Sequence, residues 1–170
     1  MDALRPDLPA LIAAGDHRAV RAELAAAASD APDVAACHRV AGVLDQIDPA
    51  SAGLTPVRVA VLTNYTAQPL VALLRTQAVP SGFAITTYLP GFDQWMPELL
   101  DDQCGLRTFA PQVVVLDLLL DTIAPSLTRS FLSLKDADID AAIGEIATVI
   151  ENAIRALRAW SKARLLVHLP

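Results

Sequence analysis

Residues 57–66 read VRVAVLTNYT, and this stretch decides how the chain is interpreted. The valine-rich run 57–62 predicts a buried β-strand, and the polar letters TNYT follow at its carboxyl end. A helical pattern then runs from Pro69 to Gln77, and a threonine-rich second strand is predicted at 83–88. From residue 57 onward, the chain therefore reads as strands alternating with helices.

The same alternation continues to the end of the sequence. A short helix is predicted at 95–100, a nearly all-apolar third strand at 113–116, and a fourth strand at 165–168. Between the last two strands, isoleucines and then a leucine and a tryptophan recur every three or four residues over 138–160, which predicts an amphipathic helix with one face on a core. Helices that connect successive strands of one sheet make the strands parallel, and such strand–helix–strand crossovers are right-handed. We therefore predict an α/β fold, SGNH- or flavodoxin-like, whose short parallel sheet has the strand order 2-1-3-4 and is flanked by helices.

The first fifty-odd residues differ from the rest, because they are alanine-rich and read as helices. One helix starts at Asp7 to Pro9, Asp16 caps a second that runs to about Ala28, and a third follows a break at 30–33 and runs to about Ile47. We therefore divide the chain into a helical N-terminal extension, 1–53, and an α/β domain, 54–170. A strand this near the end of a chain normally leads to another element, so we expect the chain to be part of a larger protein, with its α/β domain truncated.

Composition narrows the classes of partner and compartment. The 170 residues carry a formal net charge of −6 and a sequence pI near 4.9, which argues against nucleic acid and against an anionic membrane surface. The two cysteines, Cys37 and Cys104, have no metal-ligand spacing. We predict neither a metal nor a cofactor. We see no signal peptide and no apolar run of the roughly 20 residues that span a bilayer, and we predict a cytoplasmic location.

The predicted strand order also locates a binding crevice. In open parallel sheets, ligands bind at the carboxyl ends of the strands, where the order reverses, which here lies between the first and third strands. We expect the crevice to gather residues that follow these two strands: Thr63, Asn64, Tyr65, Asp117 and Asp121. The alternative is structural, because a Thr/Asn pair often caps the following helix and an aspartate often ends a strand.

A longer series of segments points to a family. After the stretch 57–66 come FDQWMPELLDD at 92–102 and LRTFAP at 106–111, which leads into the valine-rich third strand. This series resembles the N-terminal, SGNH-hydrolase-like domain of FkbH-like proteins, which precedes a phosphatase-like module of the haloacid dehalogenase superfamily. The resemblance implies a role in loading a glyceryl unit onto an acyl carrier protein, which supplies polyketide building blocks.

The resemblance also shows what this chain lacks. The phosphatase module needs an Asp-x-Asp pair directly after a strand and magnesium, whereas Asp138 and Asp140 stand at the polar start of a helix. The phosphate chemistry therefore belongs elsewhere, and the resemblance implies two partners, an acyl carrier protein or a phosphatase-like partner module.

Catalytic residues are harder to assign. An SGNH hydrolase needs a serine in a Gly-Asp-Ser loop after its first strand and an Asp-x-x-His near its end, and the sequence has neither. The candidates that remain are Thr66 or Cys104 as a nucleophile and His168 as a base. Each also has an ordinary structural explanation: Thr66 in a helix cap, Cys104 in a loop without an adjacent histidine, and His168 at a strand end.

A basic cluster late in the chain is the candidate partner surface, and it comprises Arg155, Arg158, Lys162 and Arg164. It is either a docking site for an acidic carrier domain or the charged outer face of a helix, with cations near its carboxyl end.

Three functional hypotheses follow. The first is a non-catalytic recognition or scaffold domain in carrier-protein-dependent biosynthesis. The second is an acyl or glyceryl transferase or hydrolase. The third is an oligomerisation domain that pairs with another copy of the chain.

Overall fold

Within residues 8–29 and 33–168, which the computed structural model describes, three helices come first, and strands then alternate with one or more helices. The helices are α1 (Leu8–Ala13), α2 (His17–Ser29), α3 (Val34–Leu44), α4 (Gln68–Ala78), α5 (Trp95–Leu100), α6 (Gly105–Phe109), α7 (Leu120–Ile123), α8 (Pro125–Arg129) and α9 (Asp136–Arg158). The strands are β1 (Thr55–Thr63), β2 (Phe83–Tyr88), β3 (Val113–Asp117) and β4 (Arg164–His168), and a short 3-10 helix spans Phe131–Ser133.

The sheet has the strand order β2-β1-β3-β4, and β3 pairs in parallel with both β1 and β4. The predicted α/β class and strand order are therefore confirmed. The register aligns Thr63 of β1 with Asp117 of β3, and Asp117 with His168 of β4. Three strands thus end in polar residues at one level, because parallel strands present their carboxyl ends at the same edge.

The chain divides into two compact units, residues 1–58 with 67–87 and residues 59–66 with 88–170. In the first, α2 and α3 bury Val20, Leu24 and Val40 in a core with Val79. Asp16 accepts a hydrogen bond from the Ala19 amide at 3.1 Å, as expected of a helix cap. The proposed helix start at Asp7 and most of the break at 30–33 lie outside the described residues. The boundary at 53/54 stays a prediction.

The second unit is built on β3 and its neighbours, and its core includes Leu62, Leu106, Leu116 and Leu157. The apolar stripe of α9 meets this core over only part of its length: Ala153 and Leu157 are buried, whereas Ile143 is 53% exposed. The first half of α9 instead lines a cavity of about 240 Å³ together with α7 and α8, through residues that include Ile146 and Val149. In the part of the chain that is described, no helix is both long and apolar enough to span a membrane.

Four short elements escaped the sequence-based prediction: α6, α7, α8 and the 3-10 helix. Each has three to five residues, which is little more than one helical turn. One turn cannot show a repeat of 3.6 residues, so the hydrophobic pattern carries no signal for it.

The segment from α5 to α6 is held by Glu98. Its carboxylate accepts hydrogen bonds from the Tyr88 hydroxyl at 2.8 Å and from the Leu106 amide at 2.9 Å. Its backbone carbonyl accepts one from the Cys104 thiol at 3.0 Å. Burial and the hydrogen bond to Glu98 raise the pKa of Tyr88 to about 12. The Glu-Leu-Leu-Asp stretch therefore includes the residue that fixes this turn.

We expect Gly105→Ala to destabilise the protein by about 1–3 kcal/mol, as overpacking does. A Cβ at position 105 would overlap the Tyr88 hydroxyl and lie 2.9 Å from its Cζ. Urea unfolding measures the change. The matched control is Gly144→Ala in α9, where a Cβ meets nothing within 4 Å. That change should stabilise the helix by about 0.5–1 kcal/mol, and equal effects of both changes would contradict the steric argument.

Candidate functional site

Asp117 is the centre of a side-chain network at the carboxyl edge of β1, β3 and β4. The Tyr65 hydroxyl donates a hydrogen bond to its Oδ2 at 2.5 Å. His168 Nδ1 lies 2.9 Å from its Oδ1. The Asp117 side chain is 13% exposed and that of His168 is 67% exposed, so a sheltered carboxylate holds an accessible imidazole. We call Tyr65, Asp117 and His168 the edge site.

The contact with Asp117 determines which ring nitrogen of the neutral His168 imidazole carries the proton. When Asp117 is ionised it can only accept hydrogen bonds, so the Nδ1–H of His168 is the donor between them. In the neutral ring, Nε2 is then the nitrogen with a free lone pair. The Tyr65 hydroxyl holds the other carboxylate oxygen, which keeps the carboxyl group in one orientation. The arrangement can therefore accept a proton from a ligand hydroxyl or from water at His168 Nε2.

The loop that carries Tyr65 is fixed by buried polar contacts. Asn64 is 1% exposed, its Nδ2 donates to the Leu119 carbonyl at 3.0 Å, and its Oδ1 accepts from the Leu119 amide at 2.9 Å. Thr63 Oγ1 donates to the Tyr65 carbonyl at 2.8 Å. The idea that this Thr/Asn pair caps the next helix is wrong, because the N-cap of α4 is Ala67, without a side-chain cap. Asn64 instead joins the loops that follow β1 and β3.

Asp121 forms its side-chain hydrogen bonds with two residues of α8. Its carboxylate accepts hydrogen bonds from Arg129 Nε at 3.0 Å, Arg129 Nη2 at 2.7 Å and Thr128 Oγ1 at 2.7 Å. The hydrogen bond from Arg129 is the main reason that the pKa of Asp121 falls to about 2. Asp121 therefore links α7 to α8, and its role in ligand binding stays a prediction.

The two proposed nucleophiles lie in different surroundings. Thr66 is exposed, one residue after Tyr65. Cys104 is buried in the core of the second unit, where its thiol donates to the Glu98 carbonyl. Among the described residues, neither is hydrogen-bonded to His168, whose imidazole contacts Asp117. Their catalytic roles stay predictions, and burial does not favour Cys104, since a reactive thiol needs access to its substrate.

The basic cluster contains one residue with an evident structural task. Arg158 Nη1 donates to the Ala163 carbonyl at 2.5 Å, which ties the end of α9 to the entry of β4. Arg155 contacts Asn152 on its own helix at 3.0 Å, and Lys162 and Arg164 are exposed. Partner binding therefore stays a prediction, with Arg155, Lys162 and Arg164 as the cations best placed to meet a partner.

Sequence reasoning named every member of the edge site but did not connect them. It placed Tyr65 and Asp117 in a crevice and took His168 as a base that could point into that crevice, without predicting the contacts among the three. The signal that joins them is the register, because all three stand at or just past the ends of strands that are neighbours in the sheet. In residues 8–29 and 33–168, no group of three or more His, Cys, Asp or Glu side chains could hold a metal ion.

We expect both tyrosines of the chain to titrate well above the ordinary range. Burial raises the pKa of Tyr65 to about 12, helped by Asp117, and that of Tyr88 also lies at about 12. Between pH 10 and 12 the unfolded chain has lost protons that the folded chain keeps. The free energy of unfolding should therefore not change with pH on account of these two groups below pH 10. It should fall as the pH rises from 10 to 12.

Tyrosinate absorbance and circular dichroism, followed together, measure this effect. Tyr65→Phe should remove one of the two late ionisations and leave that of Tyr88. Tyrosinate formation from both residues near pH 10, in a chain that is still folded, would contradict the described contacts.

Comparison with known proteins gives similarity in fold alone. No family model matches the chain, and no curated protein matches it. A solved structure, the N-terminal part of the protein BF1531 from Bacteroides fragilis, is similar with a TM-score of 0.58 at 16% sequence identity. That structure is described as containing a phosphatase domain complexed with Mg. The similarity covers 76% of the present chain, which spans 32% of the other.

Proposed function

We propose that this chain is an SGNH-like α/β module that acts on acyl or glyceryl groups held by a carrier protein, with His168 as its general base. The observation that carries the proposal is the edge site, in which Asp117 holds the His168 imidazole and Tyr65 holds Asp117. A carboxylate that orients a histidine is the arrangement by which many hydrolases and transferases remove a proton from a hydroxyl group.

The chemistry of the edge site is proton removal. His168 Nε2 would take a proton from water or from an acceptor hydroxyl, whose oxygen then attacks the carbonyl carbon of the bound acyl group. The imidazolium that forms is stabilised by Asp117, and it returns the proton to the leaving thiolate or alkoxide. Attack by water gives hydrolysis, and attack by a second hydroxyl gives transfer. Thr66, which directly follows Tyr65 in the sequence, is the hydroxyl of this chain that we propose as the acceptor or nucleophile.

Three further features support the carrier-protein context. The segments at 57–66, 92–102 and 106–111 resemble FkbH-like proteins, in which a module of this kind precedes a phosphatase-like one. The similarity in fold to part of a protein that contains a phosphatase domain agrees with such a context. An acyl carrier protein is acidic in general, so a docking surface needs cations, and residues 152–168 contain four basic residues and no acidic ones.

A non-catalytic recognition role is the second candidate. It is favoured by one observation: in the described ranges, no serine, threonine or cysteine side chain hydrogen-bonds to His168. An exposed imidazole and a tyrosine could then simply bind a polar ligand. The two candidates differ in turnover, so an activity assay separates them.

We expect His168→Ala to lower kcat/KM for p-nitrophenyl acetate by about a hundredfold or more, since general bases contribute at least that much. Asp117→Asn should lower it too, because an amide can donate to Nδ1 and so favours the wrong tautomer. His38→Ala, at an exposed histidine of α3, is the matched control and should leave the rate unchanged. Unchanged turnover in His168→Ala would exclude the general base, and no turnover in any form would favour the recognition role.

Carrier docking has a separate test, the titration of labelled protein with holo acyl carrier protein followed by NMR. We expect shifts over residues 152–168, and the double change Arg155→Glu with Arg164→Glu should weaken binding about tenfold or more, by charge repulsion. Arg158 is left unchanged because it holds the Ala163 carbonyl. Arg18→Glu with Arg39→Glu, at exposed positions of α2 and α3, is the control with the same change in net charge, and an equal loss there would mean that only net charge matters.

A further inference from the structure

A concave surface lies at the amino edge of the sheet, opposite the edge site. It is an open cavity of about 520 Å³, which is within the usual size of small-molecule sites. Gln112 and Ala163 stand directly before β3 and β4, and the Arg164 amide donates to the Gln112 carbonyl at 2.9 Å. We call this surface the amino-edge pocket, and its other lining residues are Arg107, Ala110, Pro111, Trp160, Ser161 and Lys162.

The pocket combines cations with an aromatic wall. The Arg107 guanidinium lies over the Trp160 ring, 4.9 Å from its centroid, in a cation–π contact. One of its terminal nitrogens pairs with Asp102, whose side chain is largely exposed. Lys162 is exposed, and in the described part of the chain its ammonium has no ion pair. A ligand anion could therefore meet Lys162 directly and compete with Asp102 for Arg107.

Two buried donors of the same wall have no acceptor. Arg107 Nε and Trp160 Nε1 find no hydrogen-bond partner within residues 8–29 and 33–168. An unpaired buried N–H costs free energy, and such groups in native proteins are normally paired. After a small movement of either side chain, an oxygen-rich ligand group could accept hydrogen bonds from the Arg107 Nε–H and the Trp160 Nε1–H.

We infer that the amino-edge pocket binds a phosphate monoester whose organic part packs against Trp160. Lys162, together with Arg107 once the ligand has displaced Asp102, matches the charge of a phosphate dianion, and guanidinium and ammonium groups are common phosphate-binding groups. The indole supplies an apolar surface for a ring or a short chain. The inference does not depend on the proposed function, because Asp117 and His168 lie at the other end of the strands.

The experiment uses phenyl phosphate as the probe and the two indole N–H signals of the protein as the readout. The chain has two tryptophans, and Trp95 is buried. Phenyl phosphate should shift the Trp160 indole signal and leave that of Trp95 unchanged, with Trp160→Phe identifying the signals. No shift of the Trp160 signal at millimolar phenyl phosphate would overturn the inference.

Three variants test the electrostatics in opposite directions. Lys162→Ala should weaken binding of phenyl phosphate about tenfold, as expected for a lost charge-assisted contact. Asp102→Asn should tighten it several-fold, because it removes the competitor for Arg107. Lys135→Ala is the matched control and should change nothing. Equal weakening by both lysine changes would show non-specific attraction, and benzoate binding as tightly as phenyl phosphate would overturn the assignment to phosphate.

Discussion

The in-register parallel pairing of β3 with β1 and β4 is the constraint on which the second unit depends. It sets Thr63, Asp117 and His168 at one level, and so brings a carboxylate within hydrogen-bond distance of an imidazole from a different strand. A slip of one residue in either pairing would turn the side chains to the other face of the sheet. The edge site is therefore a product of the backbone ladder more than of any local motif.

Much of the fold could be predicted from the sequence because its main elements have a clear composition or a clear period. The valine-rich runs of β1 and β3 indicate strands by their β-branched composition, the repeat of α9 is long enough to show its period, and right-handed crossovers leave few strand orders to choose from. The extent to which each apolar residue is buried was harder to predict from the sequence. Ile143 belongs to the apolar stripe of α9 yet is half exposed, since a repeat shows which face is apolar but not where the core ends.

The candidate site was predictable as a list of residues and not as a network. Tyr65, Asp117 and His168 are far apart in sequence, and their contacts depend on register, which no single segment specifies. Asn64 shows the same limit, because local reasoning favoured a helix cap and the side chain pairs instead with the backbone of residue 119. Glu98 is similar, since it is a hub only because Tyr88 and Leu106 come to it from other elements.

Asn64 has a consequence for which substitutions the chain tolerates. Its amide copies the hydrogen-bonding pattern of a neighbouring strand, with one donor and one acceptor that meet the carbonyl and the amide of Leu119. Because both partners are backbone atoms, these two hydrogen bonds do not depend on the side chain at 119 and require only that the residue there keeps its N–H. Proline alone lacks this group. Position 64 has no such freedom, since aspartate lacks the donor and glutamine is one methylene longer, so the variation accepted by the two loops is unequal.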